Sequence, residues 1–213
     1  MIHNRELSLA EQMLNYMNDK YQENFTSGLF TAAGWAYDYD SMTVYSEKFP
    51  GEYIQVYRYK ENDFRDNYLS FLFREEIEAR VAEIARPLFG KCKAFMHLSS
   101  LPIKGYLTKE VSMSDYLSNC PCDQGIYLYL ENYSKSLNYK EELETLRLQF
   151  KNLQLPHAIS LLFLKPEKKL EEITRETESM ILNKIGDNSW IIKRVNICCM
   201  DNYDFDEAEQ GQI

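Results

Sequence analysis

The hydrophobic period changes along Phe49–Phe95, and that change commits the chain to a fold of both strands and helices. Tyr53-Ile-Gln-Val-Tyr-Arg-Tyr59 alternates: Ile54 and Val56 share one side, and Tyr53, Gln55, Tyr57 and Tyr59 the other. A period of two places successive side chains on opposite faces of a strand. Lys60–Arg65 is polar and reads as a turn, and Tyr68–Phe73 alternates again, with Leu69, Phe71 and Phe73 on one side. So short a connection predicts an antiparallel hairpin. Ile77, Val81, Ile84, Ala85 and Leu88 then follow the spacing of one helix face. Gly90 suits the end of that helix, and Lys91–Leu98 resumes a strand pattern.

The flanking sequence extends this order. Ser8-Leu-Ala-Glu11 is a capping-box pattern, and it predicts a helix over 9–21. Gly28–Ala36 and Met42–Tyr45 are strand candidates. Residues 1–100 therefore read as a helix, an antiparallel sheet and a packed helix. Leu101–Asn119 is irregular and is the expected connection. Gly125–Leu130 predicts a strand, Leu143, Leu146, Phe150 and Leu153 a helix, and the apolar Ala158–Leu164 a strand buried on both faces. Pro166 suits the first turn of a helix carrying Leu170, Ile173, Met180 and Ile181. Trp190–Cys199 predicts a last strand. Residues 101–200 thus form a β-α-β-α-β unit with mixed pairing, tightly associated with the first. The fold class is α+β. Residues 201–213 hold acids and no base, and are expected to be a disordered tail.

Charge and cysteines exclude several functions. The net charge of -9 disfavours binding to a phosphate backbone, so no nucleic-acid partner is expected. Lys165, Lys168 and Lys169 alternate with acids and read as a solvated helix face. No leader-like segment and no long apolar run occurs, so no membrane span and a cytoplasmic location are expected. Five cysteines, Cys198 and Cys199 adjacent among them, do not form the even framework of a secreted disulfide protein. With 8 glycines and no phosphate-binding loop, nucleophile elbow or His-Glu-x-x-His pattern, a nucleotide enzyme is disfavoured and no cofactor is expected.

Met17-Asn-Asp-Lys-Tyr-Gln-Glu-Asn-Phe25, Glu47-Lys-Phe-Pro-Gly-Glu-Tyr-Ile-Gln-Val56, Phe64-Arg-Asp-Asn-Tyr-Leu69 and Leu88-Phe-Gly-Lys-Cys-Lys-Ala-Phe95 carry a resemblance. Over residues 1–100 the chain resembles uncharacterised small proteins of Gram-positive bacteria. That resemblance implies one structural unit and no activity, so no functional residue comes with it.

Two candidate sites remain. Tyr53, Tyr57 and Tyr59 share a strand face, and Trp35 lies near Tyr37 and Tyr39 in sequence. If helices leave that face open, these rings make a rigid amphipathic contact surface of the kind enriched at protein interfaces. If helices cover it, they are core. The second candidate is Cys120-Pro-Cys122 with His97, which pairs two thiols with an imidazole as a soft-metal or dithiol site. Cys92 and His97 sit at odd spacing on one strand and point apart. Glu75, Glu76, Glu78 and Glu83 fall opposite the apolar stripe and are expected to face solvent. The favoured function is a non-catalytic protein-binding or accessory role through the tyrosine face, with homo-oligomerisation an additional expectation. The alternative is a thiol- or metal-dependent enzyme built around Cys120, Cys122 and His97.

Overall fold

The computed structural model describes residues 7–35, 37–60, 62–98, 102–103, 105–119, 125–131, 139–153, 158–183 and 189–198. The fold is α+β, with one antiparallel and one mixed four-stranded sheet. Contacts divide the chain into two compact units, Met1–Phe73 with Ser99–Pro121, and Arg74–Leu98 with Cys122–Ile213. A cut at residue 100 is the sequence-based expectation. Instead, the strand after Gly90 goes with the second unit and the 99–121 segment with the first.

The first unit begins with α1 (Leu9–Tyr21), and its start is the predicted capping box. Glu11 Oε2 accepts the Ser8 amide at 2.7 Å, and Ser8 Oγ accepts the Glu11 amide at 3.3 Å. Met13, Met17 and Tyr21 are buried on one stripe. That stripe packs on a sheet of β1 (Phe25–Thr31), β2 (Asp40–Ser46), β3 (Ile54–Lys60) and β4 (Asp63–Asp66), antiparallel and in chain order. Val44 pairs with Ile54, and Met42 with Val56. Together with Phe25, these side chains form the buried face.

Two expectations fail at the end of this sheet. Residues 63–65, read as turn, belong to strand β4, and Tyr68–Phe73, read as strand, is the start of α2 (Tyr68–Phe89). Tyr68, Leu69, Ser70 and Phe71 are all buried. A helix turn enclosed on every side has no polar face, so its period cannot be read from hydrophobicity. Local hydrogen bonds set the helix start. Asp66 Oδ1 accepts the Tyr68 amide at 2.9 Å, and the Asn67 carbonyl accepts the Ser70 amide at 3.1 Å. The segment expected to be irregular contains α3 (Met113–Ser118), capped by Ser112. Tyr116 of α3 stacks on Phe73 with ring centroids 5.0 Å apart.

The second unit holds the later turns of α2, ended by Gly90 at a left-handed φ of 76°. It continues with β5 (Cys92–His97), β6 (Gly125–Leu130), α4 (Lys140–Asn152), β7 (Ala158–Leu164), α5 (Arg175–Asn183) and β8 (Ile191–Cys198). The sheet order is β5-β6-β7-β8. β6 and β7 pair in parallel through the α4 crossover, and the other pairs are antiparallel. β7 is internal, as its almost wholly apolar sequence predicts. Phe95, Tyr129, Leu162 and Leu164 on one face bury Leu170 and Ile173. The helix expected from Pro166 does not begin there. Lys165–Lys168 is a turn closed by a 2.9 Å amide–carbonyl bond, Leu170–Glu172 is a 3-10 turn, and α5 starts only at Arg175. Lys165, Lys168 and Lys169 therefore belong to a turn rather than a helix face. They border a cleft of about 320 Å³ with Glu131, and Lys168 lies 4.1 Å from the Trp190 ring centre.

Candidate functional site

Period-two alternation turns the β3 tyrosines away from α1. None of Tyr53, Tyr57, Tyr59 and Trp35 is buried, whereas Ile54 and Val56 between them are fully so. Tyr53 is 64% exposed and Trp35 completely exposed. The rings support one another. Tyr39 lies 5.3 Å from both Tyr57 and Tyr59, Tyr57 stacks on Tyr59 at 6.4 Å, and Tyr37 adds to Tyr39 at 5.3 Å. A second pair, Tyr45 and Tyr53, meets edge-on at 5.8 Å. Such ring pairs contribute roughly 0.5–1.5 kcal/mol each beyond area burial. They hold a broad aromatic surface in one arrangement before any contact is made.

Sheet register assembles this group. Tyr57 pairs with Ser41 on one side and Arg65 on the other, and Tyr45 pairs with Thr26. The Arg65 guanidinium lies 4.4 Å from the Tyr59 ring centre and is held by two bonds to Asp63, at 3.0 and 2.9 Å. Burial, followed by neighbouring Tyr39 and Tyr59, pushes the Tyr57 hydroxyl above its ordinary value. Burial also raises Tyr59, against the opposing charge of Arg65. Both phenols stay protonated and can donate at neutral pH. Tyr39 is the hub of the larger group and was not legible as a site residue, because it precedes its strand.

His97 closes β5 and is 53% exposed, with its Nε2 3.4 Å from Glu178 Oε1 and its ring edge-on to Tyr127 at 4.9 Å. Cys120 and Cys122 lie outside the described residues, as do Cys199, His3, His157 and residues 201–213. Among the described residues no group of three or more His, Cys, Asp or Glu side chains is arranged to hold a metal ion. The Cys92 thiol donates to the Ala82 carbonyl at 3.3 Å, and burial raises its pKa. It is a protonated structural thiol. Glu75, Glu76 and Glu83 are exposed, as expected, but Glu78 is not. Its carboxylate takes two 2.6 Å bonds from Arg175 and accepts the Met96 amide at 2.6 Å, which ties α2 to α5 and β5.

A buried polar cluster in the first unit escaped sequence reading. Asp66 is 1% exposed and accepts four bonds. Tyr16 Oη (2.7 Å) and Lys20 Nζ (2.6 Å) reach Oδ2, and Tyr21 Oη (2.7 Å) and the Tyr68 amide (2.9 Å) reach Oδ1. Those four donors saturate a carboxylate, so the cluster clamps α1 to β4 rather than offering a free acid. Burial, then the Asp66 charge, raises the Tyr16 and Tyr21 hydroxyls well above their ordinary value. Burial lowers Lys20, against the pull of Asp66.

These shifts imply an alkaline limit. Above about pH 10 unfolded tyrosines lose protons that folded Tyr16 and Tyr21 keep, so the unfolded state binds fewer protons and stability falls as pH rises. Lys20 acts in the opposite sense, but only up to about pH 10.4, where unfolded lysine has itself titrated. The urea midpoint is expected to hold through about pH 10. The unfolding free energy should then fall by about 1.4 kcal/mol per pH unit for each tyrosine, and the midpoint with it. A midpoint still unchanged at about pH 11.5 would show that these phenols ionise freely in the folded chain.

No family model matches the chain, and no curated protein matches it. One solved structure, of a DUF5037 family protein from the Gram-positive bacterium Ruminococcus gnavus ATCC 29149, is 13% identical over 74% of each chain, with a TM-score of 0.38. A likeness of that size implies no activity or ligand. Among the described residues no helix is long and apolar enough to cross a membrane.

Proposed function

We propose that the protein is a non-catalytic binding or accessory protein whose first-unit sheet face docks a basic polypeptide surface. One observation carries this reading: the tyrosine group on β2 and β3 is braced by ring contacts yet left uncovered by α1. Tyrosine supplies a large contact area with little rotamer entropy to lose, which suits a recognition surface. The sign of the partner follows from charge. The chain carries -9, and Arg65 already lies over Tyr59, so these ring faces accept a guanidinium. Arg or Lys side chains of a partner can occupy the remaining rings in the same way.

The test places a photo-cross-linking amino acid at Tyr53 in the native cell, purifies the captured protein and titrates it. Tyr57→Ala is expected to weaken binding at least about tenfold, or about 1.4 kcal/mol, with the far-ultraviolet dichroism unchanged. A partner bound equally well by wild type, Tyr53→Ala and Tyr57→Ala would remove the face from recognition.

A further inference from the structure

Among the described residues, one edge of the first sheet carries a further backbone bridge and the other does not. On the β4 side the Ile103 amide donates to the Asp66 carbonyl at 2.7 Å, and the two residues form a bridge. On the other side, β1 pairs only with β2 among the described residues. Thr26, Ser27, Gly28 and Leu29 are all exposed, with Leu29 at 75%.

Exposed edges are ordinarily guarded by charged side chains, proline or bulges, because a row of unpaired backbone N–H and C=O groups invites another strand. β1 has a bulge between Ser27 and Phe30 and neither of the other guards. From Phe25 to Tyr37 the chain has no Asp, Glu, Lys, Arg, His or Pro, although 27% of its residues are charged.

We propose that β1 pairs antiparallel with β1 of a second copy of this chain, joining the two first-unit sheets into one. The backbone edge specifies a strand as occupant, since only a strand supplies alternating donors and acceptors at the right spacing. Charge selects the second copy. A chain at -9 repels itself wherever acids face each other, and here the meeting strip is free of them. A basic partner gains nothing from an uncharged edge, whereas the strip matches itself. A two-fold axis makes the contact isologous and closes it at a dimer, with Leu29 of each copy at the seam. This edge is distinct from the tyrosine face.

The test is sedimentation equilibrium and light scattering on the full chain. Wild type is expected at twice its 25.2 kDa mass. Leu29→Lys alone, and Ser27→Lys with Leu29→Lys, each put a cation on the edge and should raise the dimer dissociation constant more than about tenfold. Both sites are exposed, so the circular dichroism should not change. Tyr57→Ala should leave the dimer intact, which separates this inference from the binding role of the tyrosines. A wild-type mass of 25.2 kDa at all concentrations would overturn it, as would a dimer unaffected by both edge variants.

Discussion

Asp66→Asn is expected to lower the unfolding free energy by about 4 kcal/mol, within the range for removing one partner of a buried ion pair. The amide keeps the shape but removes the charge, and its NH2 turns a donor toward groups that already donate. Tyr16 Oη and Lys20 Nζ both approach Oδ2, and neither can reverse its role without giving up its own bond. The Lys20 side chain, 5% exposed, is left as a buried cation without its counter-charge. Lys20→Met restores neutrality, so the double variant should lose less than the sum of the single losses, by about 2 kcal/mol. Urea unfolding of the four proteins measures that coupling. A loss below about 1 kcal/mol in Asp66→Asn would mean that water replaces the carboxylate and that the site is not dry.

The parts of the fold that were legible share a physical reason, which is that their signals are local. The α1 cap is read from Ser8 and Glu11, three residues apart, and β7 from a seven-residue segment in which only Ser160 is polar. The start of α2 was hidden because Tyr68–Phe71 is enclosed on all sides and carries no amphipathic signature. Asp66 was hidden because its partners are remote: Tyr16 is 50 residues and Tyr21 45 residues away in sequence. In the sequence it is one acid between the Lys60–Arg65 turn and the Tyr68–Phe73 alternation. The tyrosine face was half legible. Alternation placed Tyr53, Tyr57 and Tyr59 on one side, but Tyr39 and Tyr45 join them through β2–β3 register, which no local pattern encodes. Glu78 was misread for the opposite reason. Its helix position marks it as solvent-facing, and tertiary packing then brings Arg175 to it from 97 residues away.

Gly105→Ala should destabilise the first unit by about 3 kcal/mol, at the upper end of overpacking costs, because its added methyl has nowhere to go. A Cβ at Gly105 falls 2.1 Å from the Phe64 carbonyl oxygen, 3.3 Å from its carbon and 3.4 Å from Tyr16 Oη. Two of those atoms are backbone, so no side-chain rotation relieves the clash. The 105 segment must retreat from β4 instead. Retreat pulls on Ile103, which is 1% exposed and whose amide donates to the Asp66 carbonyl at the end of β4. It also disturbs the cleft of about 430 Å³ that Tyr16, Phe64, Arg65, Gly105 and Tyr106 line. Two other glycines calibrate the effect. Gly34 has nothing within 4 Å and an ordinary φ, so Gly34→Ala should be neutral to within about 0.5 kcal/mol. Gly90 also has open space but sits at a φ of 76°, so Gly90→Ala should cost about 1 kcal/mol of backbone strain alone. Urea unfolding should therefore rank the variants Gly34→Ala, Gly90→Ala and Gly105→Ala in order of increasing loss. A Gly105→Ala protein as stable as Gly34→Ala would show that the 105 segment is not held against β4.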